Sequence, residues 1–128
     1  MEWSQTYPGC PSMVPAARAF VRAMLADCPR WRDAELIASE LVGNSLRHTA
    51  SGDGGEITVT VEVESGHARI AVHDAGAGDW QPFPGDPSDE ADHGRGLLIA
   101  YQIADKIGHD VTKDGQTMWA ELTWSAEL

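Results

Sequence analysis

A chain of 128 residues fits one compact domain, 1–128, which at this size buries roughly two-thirds of the surface its unfolded form exposes. Its 20 acidic and 9 basic side chains give a net charge of -11, which argues against nucleic acid as the main partner; the acidic balance favours a protein with a basic face and equally serves solubility. Cys10 and Cys28 match no metal or redox spacing, no charged segment precedes an apolar secretory core, and no apolar run approaches the roughly 18 residues a bilayer crossing needs, so the expectation is a cytoplasmic protein that does not enter a membrane.

Residues 3–7 predict a short strand, and the Pro8-Gly9-Cys10-Pro11 stretch predicts a turn with Ser12 as the N-cap of a first helix. In that helix Val14, Ala17, Val21, Met24 and Leu25 recur at helical spacing, and Pro29 lies beyond its end. A second helix is predicted over 31–48, closed by the turn Ser51-Gly52-Asp53-Gly54-Gly55. The period then changes from 3.6 to 2. Ile57, Val59, Val61 and Val63 alternate with polar residues, Ser65-Gly66 marks a hairpin, and Ala68, Ile70 and Val72 continue the alternation to Asp74.

Residues 75–93 carry Pro82, Pro84, Gly85 and Pro87 together with Asp86, Asp89, Glu90 and Asp92, and predict a long loop, with 79–93 as a lid. A third helix over 96–106 and two strands over 108–113 and 116–124, joined at Asp114-Gly115, complete the chain. The order β-α-α-β-β-loop-α-β-β predicts an α+β two-layer sandwich, a mixed and mostly antiparallel sheet covered on one face by three helices.

Three segments carry the candidate chemistry. On the second helix, at about 100° per residue, Glu40, Asn44 and Arg47 fall within an arc of roughly 60° beside the apolar face. Glu40 and Asn44 stand four apart and point the same way, offering a carboxylate and an amide oxygen to one cation or water. Asp74-Ala75-Gly76-Ala77-Gly78 ends an apolar strand, and its glycines permit close approach of a ligand to the backbone. Gly94-Arg95-Gly96-Leu97 opens a helix, where free N–H groups and the dipole favour an anion. The five histidines show no metal-ligand spacing, and P-loop, Rossmann and nucleophile-elbow motifs are absent.

In their order and settings these segments resemble the Bergerat-fold (GHKL) ATPases, the superfamily of DNA gyrase, Hsp90, histidine kinases and MutL. Glu40 to His48 is similar to the N box, Asp74 to Gly78 to the first glycine box, and Gly94 to Leu97 to the second. The single-domain form and the phrase Ser-Glu-Leu-Val-Gly-Asn-Ser-Leu-Arg-His resemble the stand-alone anti-sigma-factor serine kinases of the RsbW and SpoIIAB type. Gly43 departs from that pattern, standing where a good helix former is usual.

The resemblance implies ATP and Mg²⁺ as cofactors, Asn44 as the metal ligand and Glu40 as the base that takes the proton of an attacking hydroxyl. It implies that Asp74 accepts from the adenine amino group with Thr117 assisting, that Gly76 and Gly78 admit the base, and that Gly94, Arg95, Gly96 and Leu97, with Arg47 and His48, meet the phosphates. The implied activity is a serine/threonine-protein kinase that binds a sigma factor and phosphorylates an antagonist protein. The alternative is a regulator that binds ATP and a transcription-factor partner without transfer. A homodimer is left open.

Overall fold

A computed structural model of the chain describes residues 1–48, 55–75, 98–113 and 115–125. Strand β1 (Glu2–Pro8) leads through a single 3-10 turn (Pro11–Met13) into helix α1 (Val14–Met24), followed by α2 (Trp31–His48), β2 (Glu56–Glu64) and β3 (His67–Asp74). Residues 98–103 are helical and are called α3. Strands β4 (Lys106–Thr112) and β5 (Gly115–Thr123) end the described fold.

The five strands form one sheet in the order β1-β2-β3-β5-β4. Every pairing is antiparallel, where the sequence allowed a mixed sheet. The β4–β5 hairpin docks through β5 onto β3, so β4, which runs parallel to β3, never touches it.

Alternation along the strands divides the sheet into two faces. Ile57, Val59, Val61, Ile70, Val72, Met118, Ala120 and Leu122 are buried on one face. The helical layer supplies Ala17, Val21, Leu25, Ala34, Ile37, Ala38, Leu41 and Val42 to the same core. Each large side chain fully withdrawn from water there contributes about 1.5–3 kcal/mol. The other sheet face is polar: Ser4 bonds Thr60, Thr6 bonds Thr58, and Arg69 pairs with Glu62 while stacking 5.1 Å from the Trp119 ring centroid.

Two boundaries differ from expectation. Ser12 does not cap α1, because the chain enters that helix through the 3-10 turn and Met13 is the N-cap, without a side-chain bond; the Ser12 hydroxyl meets Cys10 Sγ at 3.1 Å. The third helix stops at residue 103 and β4 begins at Lys106. Arg30 explains this stop. Its guanidinium donates to the Ile103 carbonyl at 2.9 Å, to the Thr123 carbonyl at 3.1 Å, and to the carboxylates of Asp105 and Asp33 at 2.8 and 3.0 Å. The Asp105 carboxylate also accepts from the Thr123 backbone N–H at 2.7 Å, which pins the turn between α3 and β4.

Candidate functional site

Helix α2 runs unbroken through Gly43, and its buried stripe of Ala34, Ile37, Ala38, Leu41 and Val42 joins the core, the helix packing on α1 and, within the sheet, mainly on β3. On the helical wheel Asn44 falls between Glu40 and Ile37, at the margin of that stripe and on its core side. The helix therefore carries Asn44 into the interlayer space at 2% exposure, while Glu40, one turn earlier, stays half-buried. Neither Oδ1 nor Nδ2 of Asn44 has a hydrogen-bond partner. A buried amide left this way costs about 1–3 kcal/mol per group, which makes Asn44 a candidate ligand contact.

The sheet faces that space with Asp74, 2% exposed at the end of β3. The register pairs Asp74 with Gln116 and His73 with Thr117. Residues paired in an antiparallel ladder share a face, so Asp74 and Gln116 both look toward the helices. Thr117, one residue along β5, looks the other way and meets His73 Nδ1 at 2.9 Å. The structure thus does not bring Thr117 to Asp74. It brings Gln116, which is 6% exposed, with Oε1 2.9 Å from His109 Nε2 and Nε2 buried without a partner.

Gly115 is what lets β5 start so close to Asp74. A Cβ built on it would lie 1.9 Å from the Asp74 carbonyl oxygen, and its φ of +145° is one that side chains disfavour.

Sequence reasoning missed Gln116 and His109. The signal was present, since Gln116 occupies the phase of Met118, Ala120 and Leu122 on a strand whose inward face is otherwise apolar. Gly76, Gly78, Gly94, Arg95, Gly96 and Leu97, and the predicted lid over 79–93, lie outside the described residues, as do the side chains of Arg47 and His48. Two surface depressions, of about 330 and 190 Å³, contain none of the predicted residues; one lies at the polar sheet face by Glu62 and Arg69, the other between α1 and α2 by Arg18 and Leu36.

The donor set suits one kind of cation. Among the described residues no three His, Cys, Asp or Glu side chains gather as a metal cage. A single amide oxygen with a nearby carboxylate fits Mg²⁺, which keeps waters and draws its other ligands from a substrate's phosphates.

The family model for the histidine kinase-like ATPase domain matches residues 8–124. A crystal structure of the RsbU and RsbW domains of Rv1364c from Mycobacterium tuberculosis aligns with a TM-score of 0.69 and 20% identity, over 96% of this chain and 32% of that one. The chain spans about a third of that solved protein, and the likeness is one of fold. No curated protein matches it.

Proposed function

The chain belongs to the histidine kinase-like ATPase domain family, and from that premise we propose that it is an Mg·ATP-dependent regulatory serine/threonine-protein kinase of the anti-sigma-factor type, acting on a protein antagonist. The observation that carries the reading is Asn44, a carboxamide set into the space between helix and sheet with both polar atoms unpartnered. Its oxygen would hold Mg²⁺, which would supply positive charge against the phosphates of the nucleotide.

Each remaining residue has a role in this reading. Asp74 accepts from the adenine amino group, Gly76 and Gly78 leave room for the base, and Gly94 to Leu97, with Arg47 and His48, meet the phosphates. In the transfer step a partner's serine or threonine hydroxyl oxygen bonds to the γ-phosphorus, the bond from that phosphorus to the β,γ-bridging oxygen breaks, and ADP leaves. Glu40 takes the hydroxyl proton. The partners are a sigma factor and the phosphorylated antagonist, and the RsbW domain of the matched solved structure supports that direction.

Titration calorimetry of the purified protein tests the reading. Wild type should bind ATP more tightly with Mg²⁺ than without, and Asn44→Ala should weaken binding and remove the Mg²⁺ dependence. A wild type that binds no ATP at millimolar concentration overturns it.

A further inference from the structure

Resting on that ATP-binding reading, we propose that Gln116 reads the edge of the adenine ring beside Asp74, and that His109 holds its amide in the orientation that selects adenine over guanine. Gln116 projects from β5 on the inward face, as the direct cross-strand neighbour of Asp74. Paired residues of an antiparallel ladder stand about 4.5–5.5 Å apart, close enough for two neighbouring atoms of one small ring.

The His109 contact sets which end of the amide faces the site. A carboxamide oxygen accepts and never donates, so in the 2.9 Å contact His109 Nε2 carries the hydrogen and donates to Gln116 Oε1. The two N–H groups on Gln116 Nε2 are thereby turned away from His109. That nitrogen is buried and has no hydrogen-bond partner. Burying an amide N–H without an acceptor is unfavourable, and His109 prevents the side chain from rotating to hide it.

Side by side, then, stand an acceptor, the Asp74 carboxylate, and a donor, the Gln116 amide. Adenine carries the complement: its exocyclic amino group donates, and the ring nitrogen on either flank of it, N1 or N7, accepts. Guanine has a carbonyl oxygen where adenine has the amino group, and that oxygen would face a carboxylate with no proton between them. At the N1 edge guanine would also set its N–H against the Gln116 N–H. Sites whose buried groups are left unpaired by the wrong ligand discriminate strongly.

The test compares ATP, GTP, 1-deaza-ATP and 7-deaza-ATP on wild type, Gln116→Met and His109→Phe by calorimetry, with thermal unfolding run on each. Gln116→Met keeps the length of the side chain and removes the orphaned donor, and should bind ATP about tenfold more weakly, the value of one hydrogen bond. One of the two deaza analogues should show the same loss on wild type and no further loss on Gln116→Met. That comparison cancels any change in folding. His109→Phe should narrow the ATP:GTP ratio, which a general loss of stability, weakening both nucleotides together, does not do. If Gln116→Met binds ATP as wild type does and the ATP:GTP ratio is unchanged, while Asn44→Ala still abolishes Mg²⁺-dependent binding, this inference falls and the ATP-binding reading stands. A wild type that binds no ATP overturns both.

Discussion

At position 44 the folded chain carries an amide that it has no internal use for. Replacing Asn44 by Leu, close in shape and apolar, should raise the unfolding free energy by about 1–2 kcal/mol, because two orphaned polar atoms are exchanged for hydrocarbon. The same substitution should remove Mg·ATP binding; urea unfolding and calorimetry on one preparation check both halves. Glu40 lies on the other side of this balance. Glu40→Gln should leave ATP affinity within about twofold and lower phosphoryl transfer to the cognate antagonist by 10²-fold or more, on the order expected for a lost general base. Equal transfer rates, measured with labelled ATP, would place the base elsewhere. Both residues were legible in the sequence because helical spacing alone sets one beside the other. For Gln116 the inward phase shared with Met118, Ala120 and Leu122 was legible, but not that it stands directly opposite Asp74. Only the register of β3 with β5 decides that.

Among the elements, α2 was read to its end residues from periodicity, whereas α3 was read three residues too long. What stops α3 is an arginine more than seventy residues earlier in the chain, a long-range contact with no local signature. That contact has a pH dependence. The Thr123 backbone N–H, the Thr123 hydroxyl and the Arg30 guanidinium hold the Asp105 carboxyl below its ordinary value near 3.8. Because the folded value is the lower one, the clamp's stabilisation is complete above that ordinary value and is lost as pH falls through the folded one. Wild type should therefore exceed Asp105→Asn in unfolding midpoint at neutral pH, and the difference should shrink between about pH 5 and pH 2. A constant difference would show that charge on Asp105 contributes nothing. In α2, Gly43 is half-exposed and about 120° around the wheel from Ile37, so Gly43→Ala should stabilise by about 0.5–1 kcal/mol in thermal unfolding without changing nucleotide affinity. Gly115→Ala should do the opposite, by about 2 kcal/mol or more, since both its φ and the Asp74 carbonyl oppose a side chain.

Across the whole molecule, the two layers and the order of elements were legible from the change of period after α2. The insertion of β5 between β3 and β4 was not, because a hairpin can dock by either strand. The strand with the complete inward face is the one that docks. β5 offers Gln116, Met118, Ala120 and Leu122, all buried, while β4 offers Ile107, His109 and Val111, the last 74% exposed. No described helix is long and apolar enough to cross a membrane. That strand order also ranks the parts of the sheet by how readily they open. β1 and β4 each have a single neighbour, whereas β3 and β5 are flanked on both sides. Native-state hydrogen exchange should find the amides of Ile70, Val72, Met118 and Ala120 exchanging only through global unfolding, with those of β1 and β4 released by smaller openings. Asp74 and Gln116 belong to the slow-opening pair, so fraying of either sheet margin leaves the two residues still facing one another. If these residues read the nucleotide as proposed, a chain that has let go of β1 would keep that edge intact, and its nucleotide affinity should survive denaturant concentrations at which β1 already exchanges freely. Loosening β4, by contrast, would release His109 and narrow the ATP:GTP ratio first.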